Sequence, residues 1–201
     1  LPELSLIFPR GEQFCRNFNH GSHTAGIAAG RDGIAPEADI VPVLIFSMAE
    51  YACVNNGEPS VCYSVIEAGT DKYRAYDYLL GLKNEGIQVD VVNMSYGDST
   101  ENRGNGFSSV CDAVRPKDTA LFRKMAEAGI IPVAASGNEK HDDRVSLPAC
   151  ISDVYAVGAC AMDTNTSNVY ICDFSNQSRE LVDMLAPGMS IWSAFLFERV
   201  Y

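Results

Sequence analysis

Three continuous apolar runs limit the folds that are open to this chain. They cover residues 40–46, 131–135 and 154–159. Apolar runs of this length, without alternating polar residues, are typical of strands that are buried on both faces of a parallel sheet. Pro42 and Pro132 each remove a backbone donor, which weakens the prediction of a strand at those two points.

Helices are predicted between and beside these runs, over residues 20–29, 64–84 and 117–128. The last has the clearest boundaries, because Pro116 opens it and Gly129 closes it. Residues 47–61 are predicted to form a long loop. The alternation of strands and helices predicts an α/β fold of three layers, α/β/α, with a mostly parallel central sheet. We expect one domain over residues 1–201, since the sequence shows no repeat and no linker.

A histidine begins the first predicted helix, and small residues follow it in the stretch HGSHTAGIAAG, residues 20–30. Such a helix can lie very close to a neighbouring element. Two simpler interpretations exist for His20 and His23: a shared metal ion, or two hydrogen-bonded core residues. A zinc ion needs one or two further ligands, and the nearest downstream cysteine or carboxylate residues are Asp32 and Glu37.

Three further segments accompany the histidine stretch: VDVVNMSYG (89–97), GIIPVAASGN (129–138) and LVDMLAPG (181–188). In this order the four segments resemble the histidine motif, the substrate strand, the oxyanion strand and the turn before the nucleophile of the subtilisin-like serine peptidases. This is the subtilase family, peptidase family S8. Smaller matches, such as DFSN at residues 173–176, extend the resemblance over roughly residues 18 to 193.

The resemblance implies a role for each matched residue. It makes His20 the catalytic general base and Asn138 a donor of the oxyanion hole, in a serine endopeptidase that hydrolyses peptide bonds through an acyl-enzyme. We therefore expect the two side chains to face one cleft, within roughly 10 Å of each other. Asn138 has a simpler interpretation as a turn residue. The implied substrate-binding residues are Ser95, Tyr96, Gly97, Ala134, Ala135, Ser136 and Gly137.

Two motifs of the family are missing from the sequence. The catalytic aspartate should precede the histidine, but none of the 19 residues before His20 is Asp. The serine should follow Gly188 in a GTSMA segment, and neither Ser190 nor Ser193 has that context. We interpret the chain as an incomplete subtilisin-like domain, truncated at both ends or else degenerate, and expect it to be inactive alone. The alternative function is a non-catalytic pseudopeptidase that binds peptides.

The seven cysteines contain no C-x-x-C pair, which argues against zinc-ribbon and thioredoxin sites. Disulfides are the favoured interpretation, and they imply an oxidising compartment, so that we expect a secreted, periplasmic or extracellular protein. The odd number leaves at least one cysteine without a partner in this chain. Cys111 and Cys150 resemble a cysteine pair of some bacterial subtilases, and a bond requires Cα atoms within about 4.4–6.8 Å.

The formal net charge of −11 opposes binding to nucleic acids. No apolar run approaches the roughly 20 residues of a membrane helix. Many subtilases bind calcium, but the sequence has no D-x-D-x-D-G loop, so no metal or cofactor is predicted. The expected partner is a peptide or protein substrate.

Overall fold

The computed structural model describes residues 12–55, 57–67, 71–98 and 106–194. Within them the chain forms two compact units. The first holds the described residues up to Ala75 together with those from Trp192 onward, and the second extends from Tyr76 to Ile191.

The first unit contains one long helix, α1, which spans Glu12–Ala29. The predicted end of this helix at residue 29 is confirmed, but the predicted start at His20 is wrong. No glycine or proline interrupts residues 12–19, so nothing in the local sequence stops the helix from extending toward its amino end. His20 therefore lies inside a helix and not at a loop-to-helix junction.

A β-hairpin completes the first unit. Strands β1 (Phe46–Asn55) and β2 (Glu58–Glu67) pair antiparallel, with Asn55 opposite Glu58. Gly57 in the connection has φ +86°, a backbone conformation that two-residue hairpin turns require and glycine adopts readily. The predicted loop over residues 47–61 is therefore wrong.

Helix α2 spans Asp71–Asn84, which confirms the predicted end but not the predicted start at residue 64. Residues 64–67 belong to β2, where cross-strand pairing overrides helix propensity.

The buried strand predicted over residues 40–46 is wrong, because only Phe46 belongs to a strand. Residues 38–45 have no regular secondary structure, and Leu44 is 83% exposed. An apolar run becomes a strand only where neighbouring backbone groups pair with it. Pro42 lacks the N–H for such pairing.

The second unit is built on a five-stranded, mostly parallel sheet. Its strands are β3 (Val91–Met94), β4 (Ile131–Ala135), β5 (Tyr155–Met162), β6 (Val169–Ile171) and β7 (Met184–Pro187). Strands β3, β4 and β5 are consecutive parallel neighbours, β7 pairs parallel with β5, and β6 pairs antiparallel with the end of β5. The strand predicted over residues 131–135 is confirmed with the same bounds, and that predicted over 154–159 corresponds to β5.

One face of this sheet forms the core of the unit. Met94, Ala134 and Ala156 are at most 2% exposed, and the helix α3 (Pro116–Glu127) buries Phe122 and Met125. Burial of two side chains of this size contributes about 1.5–3 kcal/mol each. The helix predicted over 117–128 is confirmed to within one residue at each end.

A disulfide joins Cys111, just before α3, to Cys150, after β4. Their Cα atoms are 5.4 Å apart, so the pairing implied by the resemblance is confirmed. A backbone hydrogen bond of 2.9 Å from the Cys111 N–H to the Cys150 carbonyl reinforces the link. Both α3 and β4 therefore lie inside a covalent ring.

Candidate active site

The turn after β4 carries the predicted oxyanion donor. Pairing with β5 continues one residue beyond the strand, because the Ser136 N–H donates to the Val157 carbonyl at 2.9 Å. The chain then reverses at Gly137, whose φ of +115° is open only to glycine without strain. Asn138 follows and is exposed, and its side chain forms no hydrogen bond within the described part of the chain. Its amide is thus available to an external acceptor at the carboxyl edge of a parallel sheet, where α/β folds commonly bind ligands.

The Glu139 carboxylate binds the backbone of this turn. One oxygen of its carboxylate, Oε2, accepts a hydrogen bond of 3.0 Å from the Asn138 backbone N–H. The same oxygen accepts from the Ser146 hydroxyl at 3.0 Å and from the Asn176 side-chain amide at 2.6 Å. These bonds fix the backbone of Asn138 and leave its side chain outside the cluster.

Asn176 occupies the centre of the same cluster and is 1% exposed. Its Oδ1 accepts from the backbone N–H groups of Glu139 and His141, at 2.9 and 3.1 Å. Its Nδ2 also donates to the Ser136 carbonyl at 3.1 Å. The DFSN segment, which resembles a family motif, contains this residue, but no local sequence pattern indicated that Asn176 holds the turn of Asn138.

The predicted substrate segment Ser95, Tyr96 and Gly97 follows directly after β3, the neighbour of β4. A Cβ atom on Gly97 would lie 3.1 Å from the Ser146 Cβ, so this segment lies against the residue that binds Glu139. The Asp98 N–H extends the contact by donating to the Leu147 carbonyl at 2.8 Å. The second unit thus brings two of the predicted site segments together.

A hydrogen bond to Tyr76 holds the side chain of Tyr96. Its hydroxyl forms a hydrogen bond with that of Tyr76 on α2, and the Tyr76 hydroxyl also contacts the Met94 sulfur at 3.2 Å. The Tyr76 ring meets Phe122 of α3 edge to face, with 5.2 Å between the centroids. The substrate segment is therefore anchored to the core beneath the sheet.

The four small residues before Asn138 divide between the two faces of β4. Ala134 and Ser136 are buried, and the Ser136 hydroxyl donates to the Asn176 carbonyl at 2.9 Å. Ala135 is half-buried on the opposite face, and Gly137 is half-buried in the turn that follows the strand. Alternation along the strand gives this division, since successive side chains point to opposite faces.

The predicted base, His20, belongs to the first unit, where it is exposed on α1. His23, nearly one turn further along, is half-buried, and its carbonyl accepts a hydrogen bond of 2.7 Å from the Ser193 hydroxyl. The predicted approach of His20 to Asn138 stays a prediction. Among the residues that the structure describes, no group of three or more His, Cys, Asp or Glu side chains could hold a metal ion.

Two free cysteines, Cys160 and Cys172, are buried at the junction of β5 and β6. Burial raises the pKa of the Cys172 thiol, and the nearby Cys160 and Asp173 raise it further. A raised pKa keeps the thiol protonated and therefore weakly nucleophilic. This residue is a poor candidate for a catalytic nucleophile.

The family can now be assigned from comparison with known proteins. A sequence model described as the subtilase family, Peptidase_S8, matches residues 12–199. The chain belongs to the subtilase family. The predicted family is thereby confirmed.

Curated relatives include proteins named as extracellular or subtilisin-like proteases. The minor extracellular protease Epr of Bacillus subtilis (strain 168) is 31% identical over 183 residues, which cover 88% of this chain and 22% of the relative. Subtilisin-like protease 3 of Pseudogymnoascus destructans (strain ATCC MYA-4855 / 20631-21) is 34% identical over 178 residues, covering 88% of this chain and 36% of the relative. The chain spans less than half the length of these relatives.

Solved structures support the fold. Sphericase matches 88% of this chain and 55% of its own, with 20% identity and a TM-score of 0.61. A cold-adapted subtilisin-like serine proteinase matches 88% of this chain and 51% of its own, with 24% identity and a TM-score of 0.55. The predicted subtilisin-like α/β fold with a mostly parallel sheet is confirmed. No helix in the described part of the chain is long and apolar enough to cross a bilayer.

Proposed function

We propose that this subtilase chain forms part of the active site of a serine endopeptidase. The observation that carries the proposal is the exposed Asn138 side chain, which has no partner within the described residues and stands on a turn held by hydrogen bonds to the Glu139 carboxylate and to the buried Asn176. Because the chain belongs to the subtilase family, we interpret this turn as the oxyanion site of a serine peptidase. The proposed substrate is a peptide or protein, and the name of the minor extracellular protease Epr supports a secreted location.

In the proposed reaction, a serine hydroxyl attacks the carbonyl carbon of the scissile peptide bond. His20 accepts the hydroxyl proton as the new C–O bond forms, and then gives that proton to the leaving amine when the C–N bond breaks. The Asn138 side-chain N–H donates to the oxygen that becomes negatively charged in the tetrahedral intermediate. Water then hydrolyses the acyl-enzyme with the same base and donor.

Ser95, Tyr96 and Gly97 have a separate role in this proposal. They extend β3 beyond its last paired residue and lie beside Ser146. An extended peptide can add to such a segment through its backbone, since β-addition requires only backbone donors and acceptors. The half-buried Ala135, whose side chain is a single methyl group, is the residue of β4 that we propose to border a substrate side chain.

The catalytic aspartate and serine motifs do not occur among these 201 residues. We propose that the 201-residue polypeptide alone lacks peptidase activity, since a histidine base without a positioned nucleophile cannot form an acyl-enzyme.

The test uses the natural protein that carries this sequence, as wild type and as His20→Ala. We expect the wild type to hydrolyse casein and to react with a fluorophosphonate probe, and the variant to lose both properties while remaining folded by circular dichroism. If the folded wild type binds peptides without hydrolysing them, the endopeptidase proposal is refuted and the pseudopeptidase alternative is supported. Equal hydrolysis by the wild type and His20→Ala would refute the role of His20.

A further inference from the structure

Asn176 uses the whole hydrogen-bonding capacity of its side chain on one turn. An asparagine amide offers a carbonyl oxygen with two lone pairs and two N–H donors. The oxygen accepts hydrogen bonds from the N–H groups of Glu139 and His141, and the nitrogen donates to the Ser136 carbonyl and the Glu139 carboxylate. With only 1% of the residue exposed, water cannot replace these partners.

The backbone of Asn176 binds the same turn. Its N–H donates to the Gly137 carbonyl at 2.9 Å, and its carbonyl accepts from the Ser136 hydroxyl at 2.9 Å. Together, the backbone and side chain of one residue contact the turn on both sides of Asn138. Asn138 itself is the residue that they leave facing outward.

The turn fits closely around this amide. A Cβ on Gly137 would collide with the Asn176 side-chain nitrogen and with the Glu139 carboxylate. Removal of the amide would leave the N–H groups of Glu139 and His141 without their acceptor. Both donors are partly buried, and such donors are costly without a partner, so the turn would rearrange to reach water.

We propose that Asn176 is a positioning residue for Asn138, and that its amide sets where the oxyanion donor stands. This inference rests on the proposed function of Asn138. A displacement of about 1 Å at a reacting group can cost on the order of a hundredfold in rate. A loosened turn therefore lowers kcat, while substrate contacts elsewhere keep KM nearly unchanged.

The first experiment compares Asn176→Ser with Ser175→Ala in the natural protein. Ser175 is a matched control, since it is also 1% exposed and bonds to the Asn176 backbone without touching its amide: its hydroxyl accepts from the Ala159 N–H at 2.9 Å and donates to the Asn176 carbonyl at 3.2 Å. With rates normalised to titrated active sites, we expect Asn176→Ser to lower kcat by about tenfold to a hundredfold, with KM changed less than about twofold. Ser175→Ala should keep the wild-type kcat. Equal kcat values for the two variants would overturn the inference.

The second experiment repeats Asn176→Ser in an Asn138→Ala background. If Asn176 acts through Asn138, the second substitution adds no further loss of kcat, whereas a general structural role gives additive losses. Additive losses overturn the inference. If Asn138→Ala alone leaves kcat unchanged, the proposed role of Asn138 fails first. If Asn138→Ala lowers kcat and Asn176→Ser does not, only the positioning role fails.

Asn176→Asp is the second variant, because it keeps the shape of the side chain and the acceptor for Glu139 and His141. It replaces the donor by a carboxylate that faces the Glu139 Oε2, where two negative charges repel unless a proton is shared between them. We expect the ratio of its kcat to that of the wild type to rise as the pH falls. A ratio that is constant from pH 9 to pH 5.5 would contradict the inference even if Asn176→Ser does not fold.

Discussion

Opening the disulfide between Cys111 and Cys150 should destabilise the second unit by a predictable amount. The two residues are 39 apart in sequence, so the bond closes a ring that contains α3 and β4. The chain-entropy relation gives about 4 kcal/mol at 25 °C for a ring of this length. With a urea slope of about 2 kcal/mol/M, Cys111→Ala/Cys150→Ala should lower the unfolding midpoint by about 2 M.

The matched control is Cys160→Ala/Cys172→Ala, which also removes two buried sulfur atoms but opens no ring. We expect it to lose only about 1 kcal/mol per site, the usual effect of a core truncation. Its midpoint should still fall when a reductant is added, as in the wild type. The midpoint of Cys111→Ala/Cys150→Ala should no longer respond to the reductant.

Unfolding is best followed by pulsed hydrogen exchange and mass spectrometry on peptides from α3 and β4. Cys53 in the first unit is also disulfide-bonded, so a global signal would mix two effects of the reductant. A difference below about 1 kcal/mol between wild type and Cys111→Ala/Cys150→Ala would refute the entropic reasoning. So would an equal response of both cysteine-pair variants to the reductant.

Three further predictions concern the site and the buried thiols. The isolated 201-residue polypeptide should show no reaction with a fluorophosphonate probe, and stoichiometric labelling at Ser190 or Ser193 in a peptide digest would contradict this. In the natural protein, Asn138→Ala should lower kcat by about tenfold to a hundredfold with KM nearly unchanged, because a hydrogen bond to a charged group is worth roughly 1.5–3 kcal/mol; steady-state kinetics on a peptide anilide measure this. The raised pKa of Cys172 means that the folded state holds the thiol proton more tightly than the unfolded state, so this contribution to stability is complete below about pH 8.5 and is lost as the pH rises through the folded pKa. Urea titrations from pH 7 to pH 10.5 should therefore show a steeper fall in stability for the wild type than for Cys172→Ala.

The sequence predicted the second unit better than the first. The run at residues 131–135 stands between Gly129 and Gly137, which define its ends, and it lies in the interior of a sheet. The hairpin in the first unit was missed although Asn56-Gly57 is a strong turn signal. Strand pairing depends on a partner elsewhere in the chain, and residues 40–45 of the apolar run have none in the described structure.

The candidate site, too, could be predicted only in part from the sequence. Asn138 could be proposed from the small residues that precede it, because the segment is continuous in the sequence, and its role stays a prediction. The contacts of Asn176 could not, because this residue is 37 positions from Glu139 and its partners are mostly backbone groups. Almost any residue type can supply a backbone N–H or carbonyl group, so the sequence does not show which residues bind Asn176.

The covalent ring determines what happens when a peptidase cuts the chain within it. Residues 138–140, 142 and 143 are exposed, and they lie between the two cysteines of the ring. Exposed loop tips are the preferred sites of proteolytic nicking. A single cut there leaves both pieces joined through Cys111 and Cys150. The nicked molecule keeps its full mass apart from one added water, and it separates into two fragments only after the disulfide is reduced.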